Sequence, residues 1–129
     1  MLNLNKVHHI AIICSDYNKS LDFYKNVLGF RVLSENYMVE RQSFKTDLAL
    51  NGDYVIELFS FPDPPKRLTN PEATGLRHLA FEVDNLDESI KELDRLNIRH
   101  EKIRFDEFTS KRFLFFKDPD GLPIELYEK

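Results

Sequence analysis

The sequence predicts an α+β fold built from two tandem βαβββ modules, and three observations predict it. First, His9-Ile10-Ala11 recurs as His78-Leu79-Ala80, each time at the head of a short apolar run. Second, each run leads into an amphipathic helical stretch and then into strand signals. These end in Val55-Ile56-Glu57-Leu58-Phe59 in one half and Pro123-Ile124-Glu125-Leu126-Tyr127 in the other. Third, residues 60–75, SFPDPPKRLTNPEATG, hold four of the six prolines. Proline has no backbone donor, so this stretch suits a connection and not a sheet interior. One domain over residues 1–129 is expected, with repeats at about 6–60 and 76–129 and a linker at 60–75.

Each element has its own local reason. The run after His9, Ile10-Ala11-Ile12-Ile13-Cys14, is short and apolar, as suits a strand. Tyr17, Leu21, Tyr24 and Leu28 share one helical stripe, which Gly29 ends. Residues 31–37 and 43–50 read as strands, and Asn51-Gly52 provides a two-residue turn of positive φ back into the strand around Ile56. In the second half Leu86, Ile90 and Leu93 form the stripe, with Asn85 and Glu88 placed as a capping box. Strands near 99–104 and 112–117 follow. The turn Asp118-Pro119-Asp120-Gly121 then returns the chain into the strand around Glu125.

Composition limits the partners. With 129 residues, 42% of them apolar, the chain can bury an ordinary core. Eighteen Lys and Arg stand against 22 Asp and Glu, a net charge of −4 with no basic stripe. Neither nucleic acid nor an anionic membrane is therefore expected, and a small-molecule partner is. No stretch approaches the ~20 apolar residues of a membrane span. Cys14 is the single cysteine, read as a small buried apolar residue, and no secretory signal opens the chain. The expected location is the cytoplasm.

The repeat also sorts the histidines. Side chains alternate along a strand, so His8 and His9 cannot serve one face. The alignment pairs His9 with His78 and leaves His8 opposite Arg77, which makes His9 the functional member and His8 a packing residue or a support behind the ligands. Glu57 follows His9 by 48 residues and Glu125 follows His78 by 47. A carboxylate in the middle of an Ile-Glu-Leu strand is costly to bury unless it is paired, protonated or metal-bound. Should two modules face one another, His9, Glu57, His78 and Glu125 form a ligand set for one divalent ion: Zn²⁺, Ni²⁺, Mn²⁺ or Fe²⁺, with Co²⁺ also accepting such donors. His100 is read as solvated at a strand start. Lys111 and Arg112 are read as an exposed turn, and Arg41, Arg67, Arg77 and Lys111 as possible anion contacts.

These features together resemble the vicinal oxygen chelate superfamily, the glyoxalase/bleomycin resistance/dioxygenase family, and within it the glyoxalase I (lactoylglutathione lyase) branch. The likeness rests on His9 seven residues before Asp16, on Val55-Ile56-Glu57-Leu58, on His78-Leu79-Ala80-Phe81-Glu82-Val83-Asp84, and on Asp118-Pro119-Asp120-Gly121-Leu122-Pro123-Ile124-Glu125-Leu126. It implies a lyase that converts the hemithioacetal of methylglyoxal, or a related 2-oxoaldehyde, and a thiol into a 2-hydroxyacyl thioester through a metal-stabilised enediolate. It implies metal ligation by His9, Glu57, His78 and Glu125, with Zn or Ni the leading metals. Glu125 is then the leading base, and Glu57 its counterpart for the other substrate hand or simply a ligand. It also implies a homodimer in which His9 and Glu57 of one chain meet His78 and Glu125 of the other.

The resemblance has departures. Glutathione-dependent members carry an Arg four residues after the first ligand histidine and an Asn four after the first ligand glutamate. Ile13 and Phe61 stand at those places and cannot bind a carboxylate through their side chains, so the thiol, and with it the hemithioacetal itself, is left open. An acyl-CoA epimerase of the same superfamily is the alternative enzyme, although a carboxamide is more usual at position 57. A metal-free drug-sequestering resistance protein is the alternative binder.

Overall fold

In a computed structural model that describes residues 1–129, the chain forms two compact units, Met1–Pro65 and Lys66–Lys129. The first unit holds β1 (Ile10–Cys14), α1 (Tyr17–Asp22), β2 (Arg31–Met38), β3 (Ser43–Leu50) and β4 (Asp53–Ser60). The second holds β5 (Leu79–Val83), α2 (Leu86–Arg95), β6 (Arg104–Phe105), β7 (Arg112–Lys117) and β8 (Pro123–Glu128). The sheets run β1-β4-β3-β2 and β5-β8-β7-β6, with the first pair of each parallel and the rest antiparallel. This is the expected α+β architecture, one βαβββ unit after another. Residues 61–78 contain no helix or strand.

Side-chain alternation divides each sheet into a packed face and an open one. Ile12, Cys14, Leu48, Ile56 and Leu58 are buried in the first unit, as are Leu114, Phe116, Ile124 and Leu126 in the second. Cys14 is thus the buried apolar residue expected of it. Tyr24 of the first helical segment and Leu86 and Leu93 of α2 are likewise buried. Burying each large aliphatic side chain contributes roughly 1.5–3 kcal/mol, so these two rows are the chief support of each unit. The residues between them, Glu57 and Phe59 in β4 and Glu125 and Tyr127 in β8, lie on the opposite face and are partly exposed.

The caps and turns follow the sequence closely. Asp16 accepts from the Lys19 N–H at 3.1 Å, and Asn85 accepts from the Glu88 N–H at 3.1 Å. Each thereby satisfies one of the donors left free at a helix start. Asn51 and Gly52 both have positive φ, 51° and 87°, as a tight hairpin turn requires. Arg112 ties three elements together. Its Nη2 lies 2.7 Å from Glu128 and 3.1 Å from Asp87, while Glu128 also accepts from the Leu86 N–H at 2.8 Å. The guanidinium holds the Glu128 carboxyl down at about 2. Arg112 is therefore a strut between β7, β8 and α2, not part of an exposed turn.

Two elements differ from expectation. The first helix does not run as one α-helical stripe to Leu28, because after Asp22 it widens into a π-helical turn over Phe23–Val27. The Leu28 N–H accordingly bonds back to the Phe23 carbonyl at 3.1 Å, five residues earlier. The adjacent Phe23 and Tyr24 in this turn are both buried. The strand expected near 99–104 shrinks to Arg104–Phe105, plus one bridge from His100 to Phe116.

Candidate functional site

Both histidine-glutamate pairs form, each within its own unit. His78 Nε2 lies 2.9 Å from Glu125 Oε2, and His9 Nε2 lies 3.8 Å from Glu57 Oε2. Register explains the match. Ala11 stands opposite Glu57 in the β1–β4 pair and Ala80 opposite Glu125 in the β5–β8 pair. Each histidine sits two residues before its alanine, immediately ahead of the strand, so the internal repeat is reproduced residue for residue. The glutamates are 14% and 13% exposed and the histidines 37% and 28%, so donor atoms lie at a water-accessible surface with the carboxylates recessed.

The donor chemistry suits a divalent ion. Two ligands about 2.0–2.2 Å from one tetrahedral ion lie roughly 3–3.5 Å from each other, and the two pairs bracket that separation. No group of three or more possible ligands forms within either unit. The Arg77 guanidinium reaches His78 Nδ1 at 3.0 Å. Arginine can only donate, so with this contact Nδ1 accepts and a neutral ring carries its proton on Nε2; ligation of an ion through Nε2 would move that proton to Nδ1 and displace the Arg77 contact.

The surroundings of the two glutamates are unlike. Glu57 sits in a polar network: Tyr54 Oη lies 2.9 Å from Glu57 Oε2 and 2.9 Å from Asp47 Oδ1, one hydroxyl proton serving two carboxylates. Lys45 Nζ lies 2.9 Å from Asp47 and 3.4 Å from Glu57, and Ser34 donates to Asp47 at 3.0 Å. These contacts raise the Lys45 ammonium above its ordinary range and, with burial, push the Tyr54 phenol up strongly. The Tyr54 ring also stacks on His9, centroids 5.2 Å apart. Glu125 has one polar side-chain neighbour, His78, at ion-pair distance, and its cross-strand neighbour is the ring of Phe115. Phe115 meets His78 edge to face at 5.0 Å and Phe113 at 6.1 Å.

Tyr54, Lys45 and Asp47 were not singled out from the sequence, though Ser43-Phe44-Lys45-Thr46-Asp47-Leu48 carries a signal. Alternate residues there are charged, and they fall on the face that Glu57 shares. His8 touches the site residues, as a support behind the ligands would, but it does so beside His9 and not from the opposite face. Its Nδ1 lies 2.8 Å from His9 Nδ1, and its ring meets Tyr54 at 5.3 Å. Pairing begins only at Ile10, so strand alternation does not govern residues 8 and 9. His100 is not solvated either. It is 17% exposed, with Nε2 2.8 Å from Asp94 and Nδ1 donating to the Glu101 carbonyl at 2.7 Å. Of the possible anion contacts, Arg67 is taken up by the carbonyls of Leu76 and Arg77, Arg77 pairs with Glu72 at 2.8 Å, and Arg41 and Lys111 are exposed. Ile13 is exposed, and Phe61 stacks on Phe59.

Comparison with known proteins is decisive at the level of family. Residues 6–126 match the profile described as Glyoxalase/Bleomycin resistance protein/Dioxygenase superfamily. The chain belongs to this superfamily. It is 63% identical to the uncharacterized protein YwkD of Bacillus subtilis, over 98% of each chain, and 60% identical to the uncharacterized protein YaeR of Escherichia coli over the full length of both. The crystal structure of a glyoxalase family protein from Enterococcus faecalis superposes with a TM-score of 0.90 at 46% identity, covering 95% of this chain and 97% of that one. More distant superfamily relatives have named activities. They include yeast glyoxalase I, 30% identical over 95% of this chain and 43% of its own, and human methylmalonyl-CoA epimerase, 30% identical over 96% and 74%. Members of the superfamily commonly use a divalent metal.

Proposed function

We propose that the protein is a metal-dependent glyoxalase I-like lyase acting on the hemithioacetal of a 2-oxoaldehyde and a thiol, with His9, Glu57, His78 and Glu125 as ligands and Glu125 as the base. The observation that carries this reading is the contrast between two equivalent glutamates. A carboxylate held by a tyrosine, a lysine and a histidine is suited to remain in place, whereas one with a single partner can swing toward a substrate. Glu57 is the first kind and Glu125 the second.

A divalent ion bound by these four residues would supply Lewis-acid stabilisation to charge on adjacent substrate oxygens, with Zn or Ni preferred and Co, Mn or Fe acceptable. The protein's own residues do the rest. Glu125, recessed beside Phe115, takes the proton from one substrate carbon and returns it to the next. Tyr54 and Lys45 hold Glu57 in one geometry meanwhile. Each unit supplies only two donors, fewer than the three or four that a protein zinc site uses. An ion therefore needs donors from two units. As the family resemblance implies, we assign these to a homodimer, with each ion held by His9 and Glu57 of one chain and His78 and Glu125 of the other. The solitary buried cysteine and the absence of any helix long and apolar enough to cross a membrane favour a cytoplasmic enzyme.

A turnover screen tests the reading. The metal-loaded protein is offered methylglyoxal with glutathione, bacillithiol, cysteine or coenzyme A, and thioester formation is followed by absorbance. One positive thiol is expected, and with Ile13 and Phe61 at the glutathione-gripping places it need not be glutathione. An acyl-CoA epimerase is the second reading, favoured by likeness to the human epimerase; it also removes a proton beside a carbonyl, but returns one to the opposite face of the same carbon and uses no thiol. Racemisation of a 2-substituted acyl-CoA, with no thiol active, would move the assignment there. A protein that bound no metal and turned over nothing would instead be a sequestering binder.

A further inference from the structure

On the open face of the second sheet one cation stands apart from the strut of Arg112. Arg104, on the edge strand β6, lies opposite Phe113, and Phe113 lies opposite Tyr127. One row further along, Phe115 faces Glu125. The Arg104 guanidinium sits over both phenylalanine rings, 5.1 Å from each centroid. Phe115 in turn touches His78. A continuous surface thus runs from the His78–Glu125 pair across two aromatic rings to a guanidinium.

We propose that Arg104 is the specificity-determining residue of the site, anchoring an oxyanion on the far end of a substrate whose apolar middle runs beside Phe115 from the His78–Glu125 pair toward the guanidinium. The inference deepens the assignment above and rests on it for the reaction at the near end. Arg104 has one polar partner, Glu101, at 3.1 Å, and both side chains are about half exposed. An exposed pair of this kind contributes little, so an incoming anion can displace it. The planar guanidinium presents paired donors that match a carboxylate or a phosphate, and its stacking on the rings orients that fork before the ligand arrives. The first unit has no equivalent on its open face beside the His9–Glu57 pair, where Lys45 is already engaged by Asp47 and Glu57. The residue in the place of Arg104 there is Asn36, opposite Lys45.

The test separates this anchor from the reaction. Binding to the full-length metal-loaded protein is measured by titration calorimetry with two pairs of inert thioethers. They are 3-(benzylthio)propionate against its amide, and S-benzyl pantetheine 4′-phosphate against S-benzyl pantetheine. Wild type should favour the anionic member of one pair at least about tenfold, the scale of one net charge-assisted hydrogen bond. Arg104→Gln should erase that ratio and leave the neutral member's affinity unchanged, while Arg104→Lys should recover part of it. The pair that shows the effect tells carboxylate from phosphate. No preference in wild type, or an equal preference in Arg104→Gln, overturns the anchor whether or not a thiol is turned over. A preference abolished in Arg104→Gln alongside an empty thiol screen upholds the anchor and overturns the lyase assignment.

Discussion

Two glutamates at equivalent positions differ in what holds them, and that difference can be measured residue by residue. Glu125→Gln keeps shape and a donor oxygen but removes the proton acceptor. Activity should fall by about 10²- to 10⁴-fold in protein that still contains metal by elemental analysis; full turnover from metal-replete Glu125→Gln would end the assignment of the base. Tyr54→Phe asks the opposite question. It leaves the ring on His9 and deletes the hydroxyl between Asp47 and Glu57. Metal affinity should weaken by about 10- to 100-fold, as is usual when a support of a ligand is removed. An unchanged affinity in a competition titration with a chelator would show that Glu57 needs no such brace. The four ligand candidates were legible because a repeat displays a pattern twice. Tyr54 and Lys45 were not, because Leu122 and Phe113 occupy their places in the second unit, and a residue without a repeat partner carries no such mark.

Among the elements, the caps and hairpin turns were legible because their chemistry is local: a side chain at Asp16 or Asn85 bonds a backbone group three residues away. The short β6 and the widened end of the first helix were not. Both depend on packing between residues distant in sequence, which outweighs local propensity. The stretch between α2 and β7 shows the consequence. His100 there is fixed by the Glu101 carbonyl and then by Asp94, and these contacts raise its imidazole above the ordinary range. A raised folded-state value means the charged ring stabilises the fold. That contribution is fully present below about pH 6.5, the unfolded value, and is lost as pH rises through the folded one. Urea midpoints of wild type should therefore exceed those of Asp94→Asn at about pH 6, with the gap narrowing toward pH 8 or above. A gap independent of pH would show that Asp94 acts through packing alone.

For the molecule as a whole, the proposed sharing of sites between two chains makes a prediction that no single-chain arrangement shares. His9→Ala and Glu125→Gln chains should each be inactive alone. After the two are unfolded together and refolded, a mixed dimer has one site with both defects and one with neither. Random pairing through a two-fold interface makes half the dimers mixed, so roughly a quarter of the wild-type activity should return. Sites contained within one chain would give no recovery, and a monodisperse metal-binding monomer in light scattering would exclude the dimer directly. The tandem architecture itself was readable in advance because both units obey one pattern of apolar alternation, with Ile56 and Leu58 answered by Ile124 and Leu126.

The turn before β8 has a consequence for how the last strand finds its place. Asp118 Oδ1 accepts from the N–H groups of Asp120 and Leu122, each at 2.9 Å, and the Asp118 N–H bonds the Leu122 carbonyl at 3.0 Å. The knot closes over a handful of residues, so little chain entropy is lost in forming it. Joining β5 to β8 in parallel is dearer, since it must bring Ala80 to Glu125 across most of a unit. The alignment of Glu125 against Phe115 is thus set by a local search, and only its meeting with His78 waits on a long one.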